Sequence, residues 1–80
     1  MARYFMHLRD GTEEVLDPDG VEYDTLEALR EAVLVSVRDC ISGDALRGVI
    51  DLRFRVDAED AAGAVVYTLP FDRAVSIIPG

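Results

Sequence analysis

Asp17-Pro18-Asp19-Gly20-Val21-Glu22-Tyr23-Asp24-Thr25-Leu26-Glu27-Ala28 decides the fold, because one unbroken stretch writes a tight turn, a short strand and a capped helix start. Proline suits the first turn position, aspartate the second, and glycine accepts the left-handed backbone that follows. Glu14-Val15-Leu16 and Val21-Glu22-Tyr23 flank the turn, so the segment is a small hairpin or one strand with a sharp bend. Asp24 is placed to cap the next helix while Glu27 bonds back to the cap amide, and both carboxylates suit the positive end of the helix dipole. The helix is predicted to begin at about Thr25.

Downstream, Leu26, Leu29, Val33, Val37 and Cys40 form an apolar stripe at helical spacing, widened by Ala28, Ala32 and Val35. Ser42-Gly43 offers a stop, and Asp44-Ala45-Leu46-Arg47 a further turn before Gly48. Ile50, Leu52, Phe54 and Val56 then alternate with Asp51, Arg53, Arg55 and Asp57, which predicts a strand with one dry and one wet face. Asp57–Gly63 reads as a connection, Ala64–Leu69 as the returning antiparallel strand, and Pro70 as its end. Upstream, Tyr4, Met6 and Leu8 alternate with Phe5, His7 and Arg9 in another strand, turned by Asp10-Gly11. The order ββαββ predicts one two-layer α+β domain over residues 1–80, with an antiparallel sheet of about four strands packed on one main helix. The apolar tail Ala74–Gly80 is expected to pack on this domain or on a second copy.

Eighty residues bury only about 60% of the surface of the unfolded chain, enough for one modest core. Sixteen acids face eight arginines and no lysine, for a net charge of −8. Nucleic-acid backbones are bound by cationic side chains that displace counterions, so this balance opposes DNA or RNA binding. A lone Cys40 leaves no intrachain disulfide, which points to a reducing compartment, the cytoplasm by default. Charge interrupts the N-terminal residues too early for a signal peptide, and no apolar run reaches a membrane span.

His7 is the first candidate for a general base, but the sequence offers it no orienting partner; Arg53 or Arg55 on a neighbouring strand would depress its pKa. Cys40 lies late in the helix on its apolar face, where a buried structural thiol is expected. Asp17, Asp19 and Asp24 resemble a calcium loop only superficially: counting from Asp17, the position for a bidentate glutamate falls on Ala28. Turn and cap duties explain these acids, so neither metal nor cofactor is expected. The open sheet face, with His7, Arg9, Arg53 and Arg55, and the tail residues Ile77 and Ile78 form the candidate interaction surface, with Phe54 pointing to the opposite face.

Arg3-Tyr4-Phe5-Met6-His7-Leu8-Arg9-Asp10-Gly11, the Asp17–Glu22 turn, Leu26-Glu27-Ala28 and Gly63–Phe71 together resemble a family of short bacterial proteins known as domain of unknown function 6894. The resemblance spans essentially the whole chain and implies a small stand-alone bacterial protein with no activity, cofactor or catalytic residue to carry over. The helix opening Asp24–Ala32 is also similar to that of the HicB antitoxin domain, over less than half the chain and without that family's proline-glycine loop. The leading expectation is a non-enzymatic protein-binding or self-associating module, a homodimer with no nucleic-acid or membrane partner. The alternatives are a HicB-like antitoxin or regulatory module that binds a basic protein, and a small enzyme using His7.

Overall fold

In the computed structural model, which describes residues 1–80, the sheet grows from β1 (Ala2–Arg9), which pairs antiparallel on both sides. On one side runs β4 (Arg55–Asp60), in register from Tyr4↔Asp60 to Arg9↔Arg55, and β5 (Val65–Pro70) continues outward from β4. On the other side lie β2 (Glu14–Val15), opposite Leu8 and Arg9, and β3 (Val21–Tyr23), opposite Ala2 to Tyr4. Both run antiparallel to the same edge of β1, so the Asp17–Gly20 turn bends a single edge strand and is not the tip of a hairpin. Its register depends on glycine: Gly20 has φ +69°, and a Cβ there would stand 2.8 Å from the Tyr4 carbonyl oxygen and from the Phe5 ring.

The second layer is α1 (Leu26–Arg47), laid across the Tyr4, Met6 and Leu8 face of the sheet, followed after β5 by the short α2 (Phe71–Ala74). The molecule is accordingly α+β, an antiparallel five-stranded sheet with one main helix and one short helix. Leu29, Val33 and Val37 are fully buried in α1. The stripe then continues in a step of four to Ile41, which corrects the expectation that Cys40 completes it. Cys40 is exposed, on the flank of α1 that faces β1 and the bent edge, and Leu26 at the first helical position is half exposed. The helix ignores Ser42-Gly43 and stops at Gly48, whose φ of +86° lets its N–H bond back to the Ala45 carbonyl.

The helix start also differs from expectation. Thr25 is the cap: its backbone is extended and its hydroxyl accepts the Ala28 N–H at 3.0 Å, which places Asp24 outside the helix and leaves no capping box with Glu27. Thr25→Ala should therefore lower stability by about 1 kcal/mol in urea denaturation, and Asp24→Ala by less than about 0.5 kcal/mol. Equal losses would return the cap to Asp24.

The strand expected over Ile50–Val56 is displaced. Asp51 accepts the Arg53 backbone N–H at 3.0 Å and its guanidinium at 2.9 and 2.8 Å, closing a turn where alternation had promised extended chain. The strand begins at Arg55, and its phase is the predicted one, with Val56 and Ala58 buried against the helix and Arg55, Asp57 and Glu59 on the other face. Residues expected to be loop, Asp57 to Asp60, are strand. The connection shrinks to Ala61–Ala64, where the Asp60 carboxylate accepts the N–H groups of Ala62 and Ala64. In the tail, Ala74 is buried and Val75 packs against the core, but Ile77 and Ile78 are 65% and 87% exposed.

Candidate functional site

Strand alternation gathers His7, Arg9, Arg55, Asp57 and Glu59 on the sheet face away from α1, where two arginines interlock with three acids. Arg9 donates to Asp57 at 3.0 Å, to Glu59 at 2.9 Å and, from Nε, to Glu14 at 3.1 Å. Asp57 additionally accepts from Arg55 at 3.2 Å and from the Thr68 hydroxyl at 2.9 Å, and it is only 5% exposed. Burial, the largest single influence on this carboxyl, raises its pKa, but the hydrogen bonds from Arg9, Thr68 and Arg55 outweigh it and hold the pKa below the ordinary value. Asp57 and then Glu59 push the Arg9 pKa up further. The face that sequence alone marked as cationic is thus self-neutralised. Arg53 does not join it: its side chain is 80% exposed in the 51–54 turn, bound to Asp51.

His7 is buried beneath this network, its ring stacked on Phe5 at 6.4 Å. Nδ1 accepts the Asp17 backbone N–H at 3.1 Å, and Nε2 lies 3.5 Å from Glu59. The orienting partners missing from the sequence therefore exist, with Nε2 facing a carboxylate and Nδ1 already used.

Asp17 links this face to the other side of the sheet. Its carboxylate accepts N–H groups from Met6, Asp19 and Gly20 at 3.3, 3.2 and 3.1 Å, holding the bend against β1 where no strand pairing exists. Burial acts most strongly on this carboxyl and raises its pKa, yet these three donors and the nearby His7 together lower it. The bend forms one wall of an open groove of about 460 Å3, in which nine of the eleven lining residues are hydrophobic. Met6 and Leu8 line it from β1, Leu16 and Val21 from the bend, and Ser36 and Cys40 from α1. Partial burial, then Asp44 and Asp39, push the Cys40 thiol upward, away from the thiolate a nucleophile needs.

Sequence reasoning missed the groove. Its one local signal is that Val15, Leu16 and Val21 are apolar in a strand with no second sheet to cover them; they are 62%, 55% and 51% exposed. A polar hollow beside Arg9, Thr12, Glu14 and Arg55 completes the open face, and no group of three or more metal-ligating side chains converges anywhere. No helix is long and apolar enough to cross a membrane.

No curated protein and no solved structure is similar to this chain at a significant level. A family model described as a domain of unknown function, DUF6894, matches residues 3–72, from the start of β1 through β5 into α2.

Proposed function

This chain belongs to the DUF6894 family, and from that premise we propose that it is a non-enzymatic protein-binding module that pairs with a second copy of itself along the free edge of β5. The observation that carries the reading is the placement of charge. In a chain of net charge −8, residues 61–70 hold no charge, and they form the turn and an edge strand whose only strand partner is β4. Unpaired strand edges recruit other strands, and monomers usually blunt them with charged side chains, proline or bulges. Here a bulge opposite Ala58 and Glu59 and the terminal Pro70 leave a short middle stretch for pairing, bordered by the exposed Val65 and Val66. Two acidic copies meet with least repulsion at an uncharged edge. The exposed Ile77 and Ile78 follow β5 through α2 and add apolar surface. A His7 whose Nδ1 is occupied by the Asp17 backbone N–H and a Cys40 thiol pushed upward favour binding over catalysis.

Sedimentation velocity across the micromolar range should find a dimer. Val66→Glu should weaken it by about tenfold or more while leaving far-UV circular dichroism unchanged, because the side chain is partly exposed in the monomer. A monomer at every concentration would sink the proposal.

A further inference from the structure

We infer that the groove between α1 and the bent edge strand is a docking site for a cationic amphipathic segment of a partner protein, one that presents a few large apolar side chains flanked by arginine or lysine. This rests on the reading of the chain as a protein-binding module, but uses the opposite edge of the sheet from the self-pairing strand.

The groove selects for apolar side chains first. Its volume of about 460 Å3 lies within the roughly 300–1,000 Å3 of binding clefts, and its lining is hydrophobic except for Asp17 and Ser36. Leu16 and Val21 are half exposed, so a partner that covered them would remove apolar surface from water.

Charge then selects the sign of the flanks. Asp17 is the only charged lining residue, and Asp39 and Asp44 act on Cys40 at the helix wall. Asp44 is already paired with Arg47, which leaves Asp39 as the unpaired acid at the helix wall, and on the strand side Arg3 is held by Glu22 and the Asp19 carbonyl. A second copy brings its own net charge of −8 to this acidic border, and a nucleic acid brings more negative charge still. A segment with basic flanks is the macromolecular occupant that gains at both the lining and the border.

The probes are two synthetic peptides, leucine and lysine at amphipathic-helix spacing in one, glutamate replacing lysine in the other, titrated into nitrogen-labelled full chain. The leucine–lysine peptide should shift the amides of Met6, Leu16, Val21 and Cys40 saturably, with a micromolar dissociation constant that rises with added salt. Asp39→Asn should weaken binding by about threefold and reduce the salt dependence; Leu16→Arg should weaken it by about tenfold or more. Equal binding of both peptides, shifts confined to the open sheet face, or no saturation would overturn the inference. So would groove shifts that follow protein concentration alone, meaning a second copy, or saturation of the groove by octanol but not by the peptide, meaning a small apolar ligand. Repeating the titration in Val66→Glu separates the two proposals: groove shifts there support docking even if self-pairing fails, and a dimer without groove shifts overturns docking alone.

Discussion

Phe71→Ala is expected to lower the stability of this protein by about 3–5 kcal/mol, the usual cost of deleting a buried phenylalanine ring. Phe71 is 1% exposed, and its ring lies 6.1 Å from that of Phe54. Its N–H also donates to the Phe54 carbonyl at 3.0 Å, so one residue ties α2, the end of β5 and the 51–54 turn together. Total stability for a chain of this length is only about 4–12 kcal/mol, so the variant should lose a large share of it, with its urea midpoint reduced by about a quarter or more. Ile78→Ala, at an 87% exposed position, should move the midpoint by less than about 0.5 kcal/mol equivalent. A Phe71→Ala loss below about 1 kcal/mol would mean that the core closes without α2.

The central residue of that prediction is one the sequence reading passed over, and the reason is physical. Pro70 announces the end of a strand, and nothing local in Phe71-Asp72-Arg73-Ala74 says that the next turn folds back under the helix. That position is set by α1, whose Arg38 donates to the Ala74 carbonyl across more than thirty residues. Where the signal is local and periodic, the sequence was legible: Leu29, Val33 and Val37 face the core as spaced, and Val56 continues the alternation begun at Ile50. The same alternation misplaced the strand because period two records which side chains face the core. It does not record whether the backbone between them is extended, and Asp51 turned it. Cys40 and Ile41 were exchanged for a related reason: stepping by three or four along a 22-residue helix fits either, and only the position of the sheet chooses.

The site was less legible than the fold. His7, Arg9 and Arg55 do share a face, as strand alternation required, but their partners Asp57 and Glu59 fell in a segment read as loop. A patch that looked cationic on paper is therefore balanced by acids. The groove needed knowledge that β2 and β3 lie on one edge with a bend between them, which follows from the pairing of each with β1. The turn residues were read correctly, but whether they closed a hairpin or bent a strand depends on that long-range partner.

Asp57→Ala should cost about 3 kcal/mol at neutral pH, because it strips a buried carboxylate from Arg9, Arg55 and the Thr68 hydroxyl at once. Arg9 keeps Glu59 and Glu14, which holds the loss near the lower end of the range for a broken buried pair. Asp57→Asn, which preserves the shape and an acceptor but not the charge, should cost about half as much. The pH dependence separates charge from shape. The folded-state pKa of Asp57 lies below its ordinary value, so its contribution is complete above the unfolded pKa of about 3.9 and is lost as the pH falls through the folded one. Wild type should thus lose stability steeply below about pH 4, whereas Asp57→Asn, with no proton to bind there, should fall less steeply. Urea midpoints of both proteins at neutral pH and near pH 3 provide the check, and the gap between them should narrow in acid. A gap that is the same at both pH values would assign the role of Asp57 to packing and neutral hydrogen bonding, and with it the claim that the open face is held together by charge would fall.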